Sequence, residues 1–251
     1  NYFKPHIVIH AAATKFVDLS EKEPMECVDV NILGSQNVLR VSLEKNIETL
    51  IGISTDKAAP PVGNIYGHSK AIMERMFTSM SKKTKTKIAC VRFGNIAWST
   101  NSIFPIFKEM TQNTKIIKST GSHMRRFFFS VEDASKLVET SIININKING
   151  GILSLKMKST QIKSILDVWC LKYNIKWKII STRPGDKIDE YLIGDEEIKY
   201  CKLINLNKTP YYLIKFNEIN KNNIKNAVST KNSINLSNKE ILNLINNEPK
   251  F

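Results

Sequence analysis

Three short apolar runs alternate with two stretches of helical periodicity, and this alternation narrows the folds open to the chain more than any other feature. Ile7-Val8-Ile9-His10 (leading into Ala11-Ala12-Ala13), Leu50-Ile51-Gly52-Ile53-Ser54 and the segment from Lys87 to Phe93 each read as a buried strand. Between them, Asn31 to Asn46 carries Ile32, Val38, Leu39 and Leu43 at helical spacing. Tyr66 to Met80 gathers Ile72, Met73, Met76, Phe77 and Met80 on one side of a second helix. Strands and helices in this order predict an α/β fold with a doubly wound parallel sheet. Ligands of such sheets bind beyond the carboxyl ends of the strands, where Ala11, Thr55 and Gly94-Asn95 would lie.

Further along, Ser130-Val131-Glu132-Asp133 fits a helix-start box for a helix running to about Ile145. Ile152-Leu153-Ser154-Leu155 reads as a strand, Gln161 to Tyr173 as a helix, and Arg183-Pro184-Gly185-Asp186-Lys187 as a charged turn. Beyond about residue 200 the pattern weakens, leaving Tyr211-Tyr212-Leu213-Ile214 as a strand and Lys239 to Asn246 as a terminal helix. The expected organisation is a dinucleotide-binding part over residues 1–150 and a substrate-binding region with a C-terminal extension over 151–251.

The 251 residues are enough to bury a full core. No apolar run reaches the roughly 18 residues that a membrane span needs. Asn1-Tyr2-Phe3-Lys4-Pro5 lacks the regions of a signal peptide and a starting Met, which suggests a fragment. Cys27, Cys90, Cys170 and Cys201 are scattered without metal spacing and read as free thiols in a reducing cytoplasm. The formal charge of +14 comes from lysines spread along the chain, without the basic stripe and interleaved aromatics of a nucleic-acid binder. They read as a solvated surface, so no nucleic-acid partner is expected.

Tyr66-Gly67-His68-Ser69-Lys70 puts a phenol and an ammonium one helical turn apart on one face. A cation beside a phenol stabilises the phenolate, which lowers the Tyr66 pKa toward working pH. Such a tyrosine can take or return the proton of a sugar hydroxyl while hydride leaves the same carbon.

Together the motifs resemble an extended short-chain dehydrogenase/reductase, and within it the polysaccharide-biosynthesis (CapD-like) nucleotide-sugar 4,6-dehydratases. The resemblance rests on His-Ala-Ala-Ala at 10–13, Asn31-Ile32-Leu33-Gly34-Ser35-Gln36-Asn37-Val38 and Ser-Thr-Asp-Lys-Ala at 54–58. It continues through Tyr66 to Lys70, Val91-Arg92-Phe93-Gly94-Asn95, Met124-Arg125-Arg126-Phe127 and Arg183 to Lys187, over about residues 5 to 195. It implies a Rossmann-like sheet, incomplete at its N-terminus, because the Gly-x-x-Gly-x-x-Gly turn that holds a cofactor pyrophosphate is absent. Lys57 and Tyr66 also stand nine positions apart, one more than the family pattern leads one to expect.

What the resemblance implies is a cytoplasmic, C5-inverting UDP-N-acetylglucosamine 4,6-dehydratase that uses NADP or NAD, acts on a UDP-N-acetylhexosamine and self-associates as a homo-oligomer. In that reading Tyr66 is the base at the C4 hydroxyl, and Lys70 tunes it and holds the nicotinamide ribose. Asp56 protonates the departing C6 hydroxyl, Lys57 takes the C5 proton as a neutral amine, and Thr55 bonds the C4 oxygen. Ala11, Ala12 and Asn31 join Tyr66 and Lys70 in the cofactor site, and Lys15, Asn95, Arg126 and Arg183 contact the substrate. His10, His68 and His123 read as structural, and Phe127-Phe128-Phe129, Trp169 and Trp177 most simply as core. The alternatives are a nucleotide-sugar epimerase of the same fold, or an inactive piece lacking the phosphate loop.

Overall fold

The computed structural model describes residues 3–180, 186–220 and 224–249. These residues form two compact units that interleave along the chain, so neither is a contiguous half divided near residue 150. The first gathers residues 1–93, 136–156 and 191–228, and the second gathers 94–135, 157–190 and 229–251.

The first unit is built on a six-stranded sheet. Its strands in chain order are β1 (Ile7–His10), β2 (Thr49–Thr55), β3 (Lys87–Phe93), β4 (Ile152–Leu155), β5 (Cys201–Leu206) and β6 (Thr209–Ile214). Across the sheet they run β1-β2-β3-β4-β6-β5. The first four are parallel, with Ile7 opposite Thr49, Thr49 opposite Lys87 and Cys90 opposite Ile152. This is the Rossmann-like arrangement that the alternating sequence pattern predicts. Residues 191–228 then return to the unit because β6 pairs antiparallel with β4 and β5 with β6. Asn207 and Lys208, which join β5 to β6, both adopt positive φ, 50° and 66°. A two-residue hairpin with both central residues left-handed matches the strand twist. Its Asn-Lys sequence lacks the usual glycine, so the sequence itself carries no hairpin signal here.

β2 and β3 are apolar on both faces because both faces are covered, and Leu50, Ile51, Ile88, Ala89 and Val91 are fully buried. β1 is the edge strand and leaves Ile7 and Ile9 exposed. The helix expected over Asn31 to Asn46 divides into a π-helical turn, Val28–Leu33, and the regular helix α1 (Gly34–Glu44). A π turn holds one extra residue and so rotates the side chains that follow, and here it leaves polar Asn31 buried. Helix α2 (Ile65–Met80) packs Met73 and Phe77 against the sheet. A Cβ at Gly52 would stand 2.9 Å from the Phe77 ring, so the bare strand backbone makes room for it. Helix α3 (Val131–Ile143) starts where expected, with Ser130 Oγ accepting from the Asp133 N–H at 3.1 Å.

The second unit holds a three-stranded sheet of Asn95–Ile96, Arg125–Phe129 and Ser159–Gln161. Around it lie the helices Ile103–Asn113, Ile162–Tyr173 and Asn238–Asn246. Trp169 is fully buried among Trp98, Phe104, Phe107, Ile165 and Ile241, as read, whereas Trp177 is only partly buried and packs against the outside of this cluster. Phe127, Phe128 and Phe129 are buried as well. Replacing a side chain such as Trp169 by alanine costs about 3–5 kcal/mol, because the space cannot fully collapse. Among the described residues no helix is long and apolar enough to cross a membrane.

Candidate active site

β2 ends in the residues that carry the chemistry. Thr55 is still extended, and the chain then turns through one short 3-10 segment, Asp56–Ala58. The Thr55 hydroxyl donates to Asp56 Oδ1 at 3.0 Å, and Lys57 Nζ donates to the same oxygen at 3.0 Å. The Asp56 side chain is 0% exposed and that of Lys57 15%. Asp56 Oδ2 is buried with no hydrogen-bond partner among the described residues. One carboxylate oxygen is thus crowded with donors and the other has none, an imbalance that costs free energy until a donor arrives.

Helix α2 brings Tyr66 and Lys70 to this turn. Asn64 caps the helix, its side chain accepting from the Gly67 N–H at 2.7 Å. Gly67 is required here, because a Cβ would collide with the Lys57 carbonyl oxygen and stand 2.9 Å from Val62 Cγ1. The missing side chain lets the Asp56–Ala58 turn lie directly against the start of the helix. The loop between Lys57 and Tyr66 contains a cis Pro60-Pro61 bond.

Lys70 is buried, and its Nζ donates to the Ile53 carbonyl at 2.7 Å. Burial pulls its pKa down to about 8, opposed by the fields of Cys90, Glu74 and Cys27. Tyr66 departs from the sequence-based expectation. Burial pushes its phenol above the ordinary value, and the cation that pulls it back is Lys57, aided by a hydrogen bond with Thr55. Desolvation of a phenolate outweighs a cation that is itself engaged with Asp56, so the net shift is upward, not downward.

Asn31 is buried and its amide is fully used by the protein. Its Nδ2 donates to the Thr14 carbonyl at 3.0 Å and to Ser69 Oγ at 2.9 Å, and its Oδ1 accepts from the Thr14 N–H at 2.9 Å. Ser69 in turn donates to the Tyr66 carbonyl at 2.8 Å. Asn31 therefore fastens the loop after β1 to the turn of α2 that presents Tyr66. Ser69 and Thr14 carried no expectation, although Ser69, three residues after Tyr66, shares its helix face. Ala11, Ala12 and Lys15 lie exposed past the carboxyl end of β1. Burial lowers the Lys15 pKa. His10 bonds Ser35 through Nε2 at 2.8 Å and lies against Phe77, consistent with a structural histidine.

A buried ion triad stands behind Lys70. Arg92 on β3 is 0% exposed, and its guanidinium reaches both oxygens of Glu74 at 2.8–2.9 Å and both of Glu197 at 2.8–2.9 Å. Burial alone would lower the Arg92 pKa, but Glu197 and Glu74 hold it well above the ordinary value. Glu197 also accepts from the Gly194 N–H at 3.0 Å, and a Cβ on Gly194 would collide with the Pro60 carbonyl. The triad thereby seats the 194–197 segment against the loop between Lys57 and Tyr66. Glu74 follows Lys70 by four residues, the only signal the sequence offered for it.

Asn95 and Arg126 belong to the second unit. Arg126 Nη1 donates to the carbonyls of Arg125 at 2.8 Å and Lys187 at 2.9 Å, and Glu190 lies 3.8 Å from Nε. Its partner residue Arg125 makes the bidentate pair, with Asp189 at 2.6 and 2.7 Å. Arg183 lies outside the described residues. The first unit thus brings together Thr55, Asp56, Lys57, Tyr66, Lys70 and Asn31.

Comparison with known proteins places the chain. The model of a family described as polysaccharide biosynthesis protein matches residues 1–211. A protein of Methanocaldococcus jannaschii named as an uncharacterized membrane protein is 40% identical over 204 residues, covering 76% of this chain and 60% of its own length. The UDP-N-acetylglucosamine 4,6-dehydratase (inverting) of Campylobacter jejuni is 35% identical over 195 residues, 76% of this chain and 57% of the relative. The UDP-glucose 4-epimerase of Rickettsia rickettsii is 34% identical over 198 residues, with the same two coverages of 76% and 57%. The chain therefore spans somewhat over half the length of the curated relatives it matches. Among solved structures, Pen from Bacillus thuringiensis superposes with a TM-score of 0.86 at 27% identity, covering 96% of this chain and 74% of that one.

Proposed function

This chain belongs to the polysaccharide biosynthesis protein family of extended short-chain dehydrogenase/reductases, and from that premise we propose that it carries the acid–base residues of a nucleotide-sugar 4,6-dehydratase. The substrate we assign is a UDP-N-acetylhexosamine, with inversion at C5. The observation that carries the reading is the contact of Lys57 with Asp56 at 3.0 Å beside buried Tyr66.

Dehydration needs an acid for the C6 hydroxyl and a base for the C5 proton at the same moment. The Asp56–Lys57 contact supplies both after a single proton shift. Moving one proton from Nζ to the carboxylate turns an ion pair into a carboxylic acid and a neutral amine without changing the net charge. The unpartnered Asp56 Oδ2 is the oxygen that would meet the C6 hydroxyl. Thr55 and Tyr66 would hold the C4 oxygen, and Tyr66 would accept its proton as the C4 hydride departs. The C5 proton, now acidified by the C4 carbonyl, would pass to Lys57 Nζ, and the C6 hydroxyl would leave as water with the proton of Asp56.

The residues present fit a nicotinamide ribose. Lys70 directs one Nζ hydrogen to Ile53 and another to Met73 Sδ, which leaves one for a ribose hydroxyl, and the small Ala11 and Ala12 leave the end of β1 open. A bound NADP or NAD would supply hydride acceptance at C4 and its return to C6. Lys15 is the substrate contact that the first unit offers in this reading; Asn95 and Arg126 stand on the second unit, where two carbonyls occupy Arg126 donors.

The second reading, an epimerase, draws on the Rickettsia relative, but epimerisation at C4 has no use for an acid–amine pair. Incubating the protein that bears this chain with UDP-N-acetylglucosamine in heavy water separates the two. A product lighter by one water, with deuterium at C5, supports dehydration. An epimer of unchanged mass would replace it. Lys57→Ala should abolish C5 exchange while Tyr66 and Lys70 remain in place, and undiminished exchange removes Lys57 as the base.

A further inference from the structure

The strands' amino-terminal rim, opposite the candidate site, gathers lysines that look dispersed in the sequence. Three loops reach this rim side by side, because Thr49 pairs with Lys87 and Cys90 with Ile152. They are the turn before β2, the stretch before β3 and the turn before β4. Backbone and side-chain bonds tie them together: the Lys87 N–H donates to the Glu48 carbonyl at 2.8 Å, and the Ile88 N–H to Asn149 Oδ1 at 2.8 Å. The exposed residues on these loops are Lys45, Lys82, Lys83, Lys85, Lys87 and Lys147. Glu44 and Glu48 are the acidic residues beside them, which leaves a net charge of four. None of the six lysines forms an ion pair among the described residues. Neighbouring strands lie only about 4.8 Å apart, so the cluster occupies a patch on the order of 10 Å across.

One apolar side chain stands at this edge: Ile143, at the end of α3 ahead of the β4 turn, is 66% exposed.

We propose that this rim is a peripheral docking surface for an anionic lipid bilayer. Lysine is a compact, hydrated point charge suited to a diffuse field of headgroups, whereas the patch has no arginine fork for bidentate phosphate recognition. An exposed apolar side chain such as Ile143 gains by entering the boundary between headgroups and acyl chains, and gains nothing against a nucleic-acid backbone. Docked this way, the carboxyl ends of β1, β2 and β3, with Asp56 and Tyr66, face the water phase. Each net lysine near an anionic surface gives roughly a fivefold gain in partitioning, so four give on the order of several-hundred-fold over a neutral bilayer.

The purified chain would be sedimented with vesicles of pure phosphatidylcholine and with vesicles containing 30% phosphatidylglycerol as the chosen anionic lipid, in about 0.1 M and 0.5 M salt. Binding to the anionic vesicles alone, lost at the higher salt, is the expected result. Reversing the patch with Lys82→Glu, Lys83→Glu, Lys85→Glu and Lys87→Glu should abolish it. Reversing four exposed lysines elsewhere (Lys118, Lys176, Lys178 and Lys239 to Glu) changes net charge equally and should leave most of the binding. Circular dichroism and melting temperature show that both variants fold. Equal binding to neutral vesicles, equal loss in both variants, or release by an equal phosphate concentration of duplex DNA would overturn the proposal.

Discussion

Lys70 provides the sharpest test of how the site is held, because its charge sits where the fold least tolerates it. Its side chain is buried and its pKa is drawn down to about 8 from the ordinary 10.5. A shift of about 2.5 units corresponds to roughly 3 kcal/mol by which folding disfavours the ammonium. The sign follows from proton linkage. Between pH 8 and 10.5 the unfolded chain binds more protons at this position than the folded chain, so stability rises with pH across that window. Lys70→Met removes the ammonium, keeps the volume and gives up the hydrogen bond to the Ile53 carbonyl, worth about 1 kcal/mol. At pH 7 the variant should therefore be more stable than the parent by about 2 kcal/mol, and near pH 10.5 less stable by about 1 kcal/mol. Urea unfolding of both proteins at the two pH values reads this directly. The difference between the two comparisons, about 3 kcal/mol, does not depend on the value chosen for the hydrogen bond. A stability difference that stays constant between pH 7 and 10.5 would show that Lys70 is not a desolvated cation, and the argument for its role would fail.

Other expectations follow from the same geometry. Arg92→Met leaves Glu74 and Glu197 buried without their shared cation and should cost about 3–5 kcal/mol in chemical unfolding, whereas a loss under 1 kcal/mol would mean water reaches the carboxylates. Gly67→Ala drives a methyl into the Lys57 carbonyl and should destabilise by about 1–3 kcal/mol while lowering turnover out of proportion to folding, with unchanged turnover refuting the close approach. If Lys70 holds a ribose through its ammonium, cofactor affinity measured by calorimetry should be greatest below pH 8 and decline above it, and Lys70→Arg should remove that decline.

Much of the first unit was legible because β2 and β3 are buried on both faces, although α2 buries Lys70 and Glu74 beside Met73 and Phe77 and leaves Ile72, read as part of its apolar side, exposed. β1 to β4 and α2 stand where the apolar runs put them, and the Tyr66–Lys70 pair follows from its spacing on α2, whereas Thr55, Asp56 and Lys57 at the end of β2 rested on the resemblance. Such local information depends only on which residues lie one or two turns or one strand apart. The sign of the Tyr66 shift could not be read this way, because desolvation depends on everything packed around the phenol, not on the lysine one turn along. Nor could Arg92 be joined to Glu197, 105 positions later, since a guanidinium in a strand gives no hint of which distant carboxylate the fold will deliver. The lysines before β2, β3 and β4 likewise look scattered until parallel pairing sets three distant loops side by side. Spacing settled which groups meet along one element, and tertiary structure decided which charges lose their water and which share a surface, because burial and long-range pairing exist only after the sheet has closed.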